Sequence, residues 1–144
     1  MRGSWMDTNI LACPIPKTPK DWEDLHGLGV TILFNFTETK HPIDILKKYQ
    51  IQEYHFPVKN FCPPTPNQLK EVVQLLTQLQ KEGKIIACHC MGGRGRTGTF
   101  ISCFYVKTKG IDANSAIKLA REKREKSVET KGQIQAVNQF YLEK

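Results

Sequence analysis

The chain of 144 residues lacks any stretch approaching the roughly 18 continuous apolar residues that a membrane-spanning helix requires. Its opening residues, Met1-Arg2-Gly3-Ser4-Trp5-Met6, hold no apolar core of the kind that secretory signals carry. Neither an internal repeat nor a low-complexity linker interrupts it, so a single domain spanning 1–144 is expected. The five cysteines, Cys13, Cys62, Cys88, Cys90 and Cys103, are odd in number and show no disulfide-framework spacing. Cys88 and Cys90 stand two apart in a strand-like segment and so point to opposite faces, unlike a redox Cys-x-x-Cys pair. No second cysteine cluster completes a zinc site, so no metal is expected. A reducing, cytoplasmic location follows from this cysteine usage. The basic run Lys118, Arg121, Lys123, Arg124 and Lys126 has no interleaved aromatic residues, which disfavours a nucleic-acid stacking platform. It alternates with Glu122 and Glu125 and reads as a solvated helix face.

What the chain does have is a formal charge of +7 and strands alternating with helices. The charge favours anionic partners. Segments 10–13, 30–36 and 53–58 are dense in β-prone residues, and Pro57 marks the third as nearer an edge. Thr18-Pro19 reads as a helix cap followed by a first-turn proline, opening a helix over 19–26. A second short helix is expected over 43–49. Thr65-Pro66-Asn67-Gln68 is a capping box. Leu69, Val72, Val73, Leu75, Leu76 and Leu79 then recur at helical spacing, predicting a core-facing helix that runs to Gly83. Helical patterns at 97–109, 112–125 and 130–142 complete an α/β arrangement, a mainly parallel central sheet flanked by helices. In such a sheet a ligand sits beyond the carboxyl ends of the strands.

The segment His89-Cys90-Met91-Gly92-Gly93-Arg94-Gly95-Arg96-Thr97-Gly98 falls there, between an apolar strand-like run at 84–90 and a helix. Glycines at 92, 93 and 95 let backbone N–H groups turn toward an oxyanion, so residues Met91, Gly92, Gly93, Arg94, Gly95 and Arg96 form a candidate phosphate cradle. Arg96 adds a planar fork suited to phosphate, which lysine could not reproduce. Cys90 at the base of that cradle is a candidate thiolate nucleophile. Thr97 is placed to donate its hydroxyl to the Cys90 sulfur. His89 is expected behind the site, orienting Cys90 by hydrogen bonding.

This loop matches the signature of the protein tyrosine phosphatase superfamily. The remainder resembles the small atypical dual-specificity phosphatases through Ser4-Trp5, Leu28-Gly29-Val30, residues 33–38, Phe61-Cys62-Pro63-Pro64, Gly95-Arg96-Thr97-Gly98-Thr99 and Ser127-Val128-Glu129-Thr130. The resemblance implies a metal-independent phosphomonoesterase that forms a cysteinyl-phosphate, acting as a monomer on phosphotyrosine, with phosphoserine or phosphothreonine in a shallow cleft. A phosphoinositide or RNA 5′-phosphate phosphatase and a phosphate-binding pseudophosphatase are the alternatives. The chain departs from the family at Asn60, where an aspartate would protonate the leaving oxygen. An amide cannot act as that acid, and Glu129 is the candidate substitute, its other reading being a favourable charge near a helix N-terminus. Gln133 either positions water or is a solvated helix residue. Arg94, where near relatives are hydrophobic, either widens acceptance toward multiply charged substrates or faces solvent. Cys62 and Cys88 are the thiols that could trap an oxidised Cys90.

Overall fold

In the computed structural model, which describes residues 1–143, five strands form one sheet in the order β1-β2-β5-β3-β4. In chain order the elements are β1 (Ser4–Asp7), β2 (Ile10–Cys13), α1 (Pro19–Gly27), β3 (Ile32–Asn35), α2 (Ile43–Lys48), β4 (Gln52–His55), α3 (Pro66–Lys81), β5 (Ile86–His89), α4 (Gly95–Lys109), α5 (Ala113–Lys123) and α6 (Lys131–Glu143). Strands β2, β5, β3 and β4 are parallel, and β1 alone runs antiparallel to its neighbour β2. The expected α/β class and flanking helices are what the chain adopts.

Both predicted caps are present. Thr18 and Thr65 each accept from the third helical N–H and complete a capping box, with proline in the first turn. The periodic face of α3 packs Leu69, Val72, Val73, Leu76 and Leu79 into the core. Strand β4 is an edge, as Pro57 just beyond it suggested.

Several boundaries differ from the sequence pattern: β3 covers only 32–35 of the expected 30–36, and β4 runs over 52–55 instead of 53–58. Strand β1 was not expected. Only Met6 of its four residues is fully buried, so its apolar signal is a single side chain, and Asn9 at φ 61° makes the turn into β2. Helix α5 stops at Lys123 instead of continuing to 125. Helix α4 starts at Gly95, so Arg96 and Thr97 occupy its first turn.

Two cores result, one on each side of the sheet. The larger holds α4 against Phe36, with the Phe36 and Phe100 rings stacked at 4.0 Å between centroids. From Gly95 to Val106 every residue of α4 is buried, as expected of a helix enclosed by α3, α5 and α6. Each fully buried phenylalanine there contributes roughly 1.5–3 kcal/mol. The smaller core gathers Trp22, Leu25, Leu33, Leu46 and Ala87 under α1 and α2. This packing fixes the central strand β5 between β2 and β3, with its carboxyl end aimed at the glycine-rich loop.

Candidate active site

Strand β5 is buried throughout and delivers Cys90, itself 3% exposed, to the floor of the loop. Gly93 sits at φ 72°, and a Cβ there would collide with the carbonyl of Cys13 at the end of β2. Glycine is therefore required on two independent grounds. The neighbouring turn is pinned by Ile15 N–H donating to Met91 O at 2.9 Å. Met91 points its side chain outward and is half exposed.

Arg96 is 4% exposed, and its Nη1 donates to Val58 O at 2.8 Å, with Phe36 O at 3.5 Å. These carbonyls fix the guanidinium from behind. Its Nε and the hydroxyl of Thr97 are the buried side-chain polar atoms that have no protein partner among the described residues. Buried donors are almost always satisfied. The free guanidinium N–H, in the first turn of a helix beside a buried cysteine and a glycine loop, fits an oxyanion as its partner, and the Thr97 hydroxyl is left free for a second acceptor there. The fold places Cys90 at the base of the loop and Arg96 and Thr97 in the first turn of α4, and the expected hydrogen bond from Thr97 Oγ1 to the Cys90 sulfur is not formed.

His89 lies behind the loop. Its Nδ1 is 2.9 Å from Cys90 O, and its Nε2 is 2.8 Å from Nε2 of His41. A carbonyl only accepts, so Nδ1 carries the proton, Nε2 accepts, and His41 donates. Burial pushes the His89 pKa down to about 3, and burial also lowers that of His41. The pair is thus neutral, and it reaches Cys90 through the backbone. His41 was not singled out from the sequence, where a lone histidine in a loop carries no signal.

Asn60 is exposed, and its side-chain oxygen accepts from the adjacent Phe61 N–H at 3.0 Å. Phe61 itself adopts φ 65° with its ring 60% exposed. The loop is tied to the start of α6: Thr130 Oγ1 donates to Phe61 O at 3.2 Å, and Gln133 Nε2 to Cys62 O at 3.4 Å. Gln133 is fully buried, which corrects the solvated reading. Its Oε1 accepts from the N–H groups of Glu129 and Thr130 at 2.8 and 3.1 Å, while its own N–H donates to Thr130 Oγ1, closing a cap on α6. The Glu129 carboxylate lies against the phosphate loop, where a Cβ at Gly95 would collide with Oε1.

Arg94 neither faces solvent freely nor lines the cradle with its side chain. It is half-buried, and its Nη1 donates to Glu125 O. Burial pushes the Cys88 thiol well above its ordinary range, and that of Cys13 up to about 12, whereas Cys62 is exposed.

The basic run needs the largest correction. Arg124 is 6% exposed and donates through Nε to Gly93 O and through Nη2 to Gly92 O, both at 2.9 Å. Its Nη1 donates to Arg2 O at 2.8 Å and Ser4 Oγ at 2.9 Å. Arg121 binds Ser127 O and Val128 O. The buried stripe Ala113, Ala116, Ile117 and Ala120 of α5 continues, four residues on, to Arg124. That periodicity was the available signal, obscured by the charge.

With this geometry in view, residues 2–137 match the family described as "Swiss Army Knife protein, DSP-PTPase phosphatase domain". The chain belongs to this family. Within it, the chain is a small atypical dual-specificity phosphatase domain of the protein tyrosine phosphatase superfamily. It is 38% identical over 160 residues to "Protein tyrosine phosphatase domain-containing protein 1" of Danio rerio, with 96% of the chain and 22% of that protein covered. It is 30% identical over 155 residues to "Phosphatidylinositol 3,4,5-trisphosphate 3-phosphatase cnrN" of Dictyostelium discoideum, with 95% of the chain and 24% of that protein covered. The chain thus spans about a quarter or less of these curated relatives. Among solved structures, "Tk-PTP in the active form" superposes with TM-score 0.89 at 23% identity, over 97% of the chain and 96% of that one. This likeness concerns the phosphatase fold.

Proposed function

We propose that the chain is a metal-independent phosphomonoesterase that hydrolyses phosphotyrosine, and with a shallow cleft phosphoserine or phosphothreonine, through a cysteinyl-phosphate. The single observation that carries this reading is the unpartnered pair Arg96 Nε and Thr97 Oγ1, buried at the helix end beside Cys90. The Cys90 thiolate attacks phosphorus, forming a P–S bond as the P–O bond to the leaving group breaks. Arg96 and the amides of 91–96 hold the equatorial oxygens as charge builds on them. Water then attacks phosphorus, the P–S bond breaks, and Thr97 donates to the departing thiolate.

Proton delivery to the leaving oxygen is the weak step. Asn60 cannot supply a proton, and a missing acid costs about 10² to 10⁴ in rate. Glu129, whose carboxylate lies against Gly95, is placed to deprotonate the hydrolytic water, so the leaving oxygen departs without a positioned acid. Activity on lipid phosphates is the second reading. It is supported by the charge of +7 and by likeness to a protein named as a phosphoinositide phosphatase.

Hydrolysis of p-nitrophenyl phosphate, a phosphotyrosine peptide and phosphatidylinositol 3,4,5-trisphosphate tests the assignment. Turnover of the aryl phosphate should fall to background in Cys90→Ser, and turnover that survives that change rejects the mechanism. Preference for the lipid over the peptide would replace the first substrate class by the second.

A further inference from the structure

Arg124 stands outside the signature loop, on the segment after α5, yet it makes four hydrogen bonds that converge on that loop and on the N-terminal strand. We infer that Arg124 is a positioning residue of the phosphate cradle, turning the loop's amides toward the bound oxyanion by holding its carbonyls on the opposite side. The inference rests on the phosphatase reading above.

In a trans peptide the C=O of one residue and the N–H of the next point in opposite directions, and there is no cis peptide among the described residues. Gly92 O and Gly93 O are both held by Arg124, so the N–H groups of Gly93 and Arg94 point away from it. The flanking carbonyls are held as well. Met91 O accepts from Ile15 N–H, and Arg94 O accepts from Gly98 and Val128 N–H at 2.8 and 3.1 Å. Four successive carbonyls are therefore occupied by protein donors. Among the described residues, the N–H groups of Gly92, Gly93 and Arg94 donate to no protein acceptor. The result is a set of donors fixed before an anion arrives, and Arg124 holds the middle two carbonyls.

The geometry needs a guanidinium. A planar fork spans two adjacent carbonyls from Nε and Nη2 while Nη1 reaches Arg2 O and Ser4 Oγ. An ammonium is a point donor and cannot hold both loop carbonyls in one plane. The remaining bonds also tie the start of β1 to the cradle, which gives that short edge strand a role at the site.

The test measures tungstate affinity by calorimetry, kcat and KM for p-nitrophenyl phosphate, and thermal melting, for the protein, Arg124→Lys and Arg124→Ala. Misaligning preorganised donors should lower kcat/KM by about 10²-fold, with kcat falling, KM rising and tungstate affinity weakened in the folded variants. Lysine should not rescue. A residue with only a structural role would lower the melting temperature and leave tungstate affinity unchanged below it, and that result overturns the inference. Should neither variant fold, amide shifts in the unsubstituted protein decide. Gly93 and Arg94 N–H should move downfield on tungstate binding, and unmoved amides reject the inference. Cys90→Ser in the same assay separates the two claims, because turnover that survives it rejects the phosphatase reading while the tungstate measurement still tests Arg124.

Discussion

The phosphate loop and the Asn60 loop face the same chemistry but are built to different standards. Residues 91–94 have every carbonyl held by a protein donor, a glycine that the backbone of Cys13 makes irreplaceable, and an arginine anchored from behind. The loop at 59–63 is exposed, carries Phe61 at positive φ, and is moored to the start of α6 by two side-chain bonds of 3.2 and 3.4 Å. The side that would capture an oxyanion is thus rigid, while the segment where an acid would stand is loosely held and carries Asn60. On the proposed mechanism, fixing a phosphate and releasing an alcohol are separable demands, met by separate parts of the chain.

The largest expected effect breaks the rigid side of this comparison. Gly93→Ala adds a Cβ against backbone, where nothing can yield, at a positive φ. We expect a loss of roughly 10²–10³ in kcat/KM for p-nitrophenyl phosphate, together with a lower melting temperature. Near-wild-type turnover in that variant would show that the loop is not held as described.

The next effect probes the other side. Glu129→Gln should lower kcat for a phosphotyrosine peptide by about 10²-fold, within the range set by a positioned acid or base. At Gly95, an added Cβ collides with the far end of the Glu129 side chain, which can move, and comes within 3.3 Å of Gln133 Nε2. Gly95→Ala should therefore fold normally and lose activity by displacing that carboxylate. Its loss should be non-additive with Glu129→Gln in a double-mutant cycle, and additive losses would separate Gly95 from Glu129.

The smallest effect concerns stability and not turnover. The unfolded chain protonates His89 near the ordinary value of 6.5, and the folded protein does so only near about 3. As pH falls from about 6.5 toward 3, the unfolded state binds a proton that the folded state does not, so stability decreases across that window. Denaturant melts should show a slope of up to about 1.4 kcal/mol per pH unit from this group. His41, lowered in the same direction by burial, adds to it. His89→Gln should flatten the slope, and an unchanged slope would assign it elsewhere.

The comparison also explains what was legible in the chain. Cys90, Arg96 and Thr97 could be read because their chemistry is compressed into eight consecutive residues. Helix α3 and its cap could be read because periodicity and capping are local. Arg124 could not, because its partners lie about 30 and 120 residues away and its charge resembles that of the solvated lysines beside it. The burial of Gln133 is likewise hidden in the sequence, since a buried carboxamide and an exposed one have the same sequence signature. Strand β1 gave too little apolar pattern to register, as its place depends on pairing with β2.

The central claim is that phosphate capture is complete here while leaving-group protonation is not. It is tested most directly by measuring kcat/KM for a series of aryl phosphates spanning leaving-group pKa from about 7 to 10, for the protein and for Asn60→Asp. The account predicts that the logarithm of kcat/KM falls steeply with leaving-group pKa in the protein as it stands. It should flatten in Asn60→Asp, with the gain concentrated at the tyrosine-like end. A flat dependence in the unaltered protein, or an equal change at both ends of the series in Asn60→Asp, would contradict it.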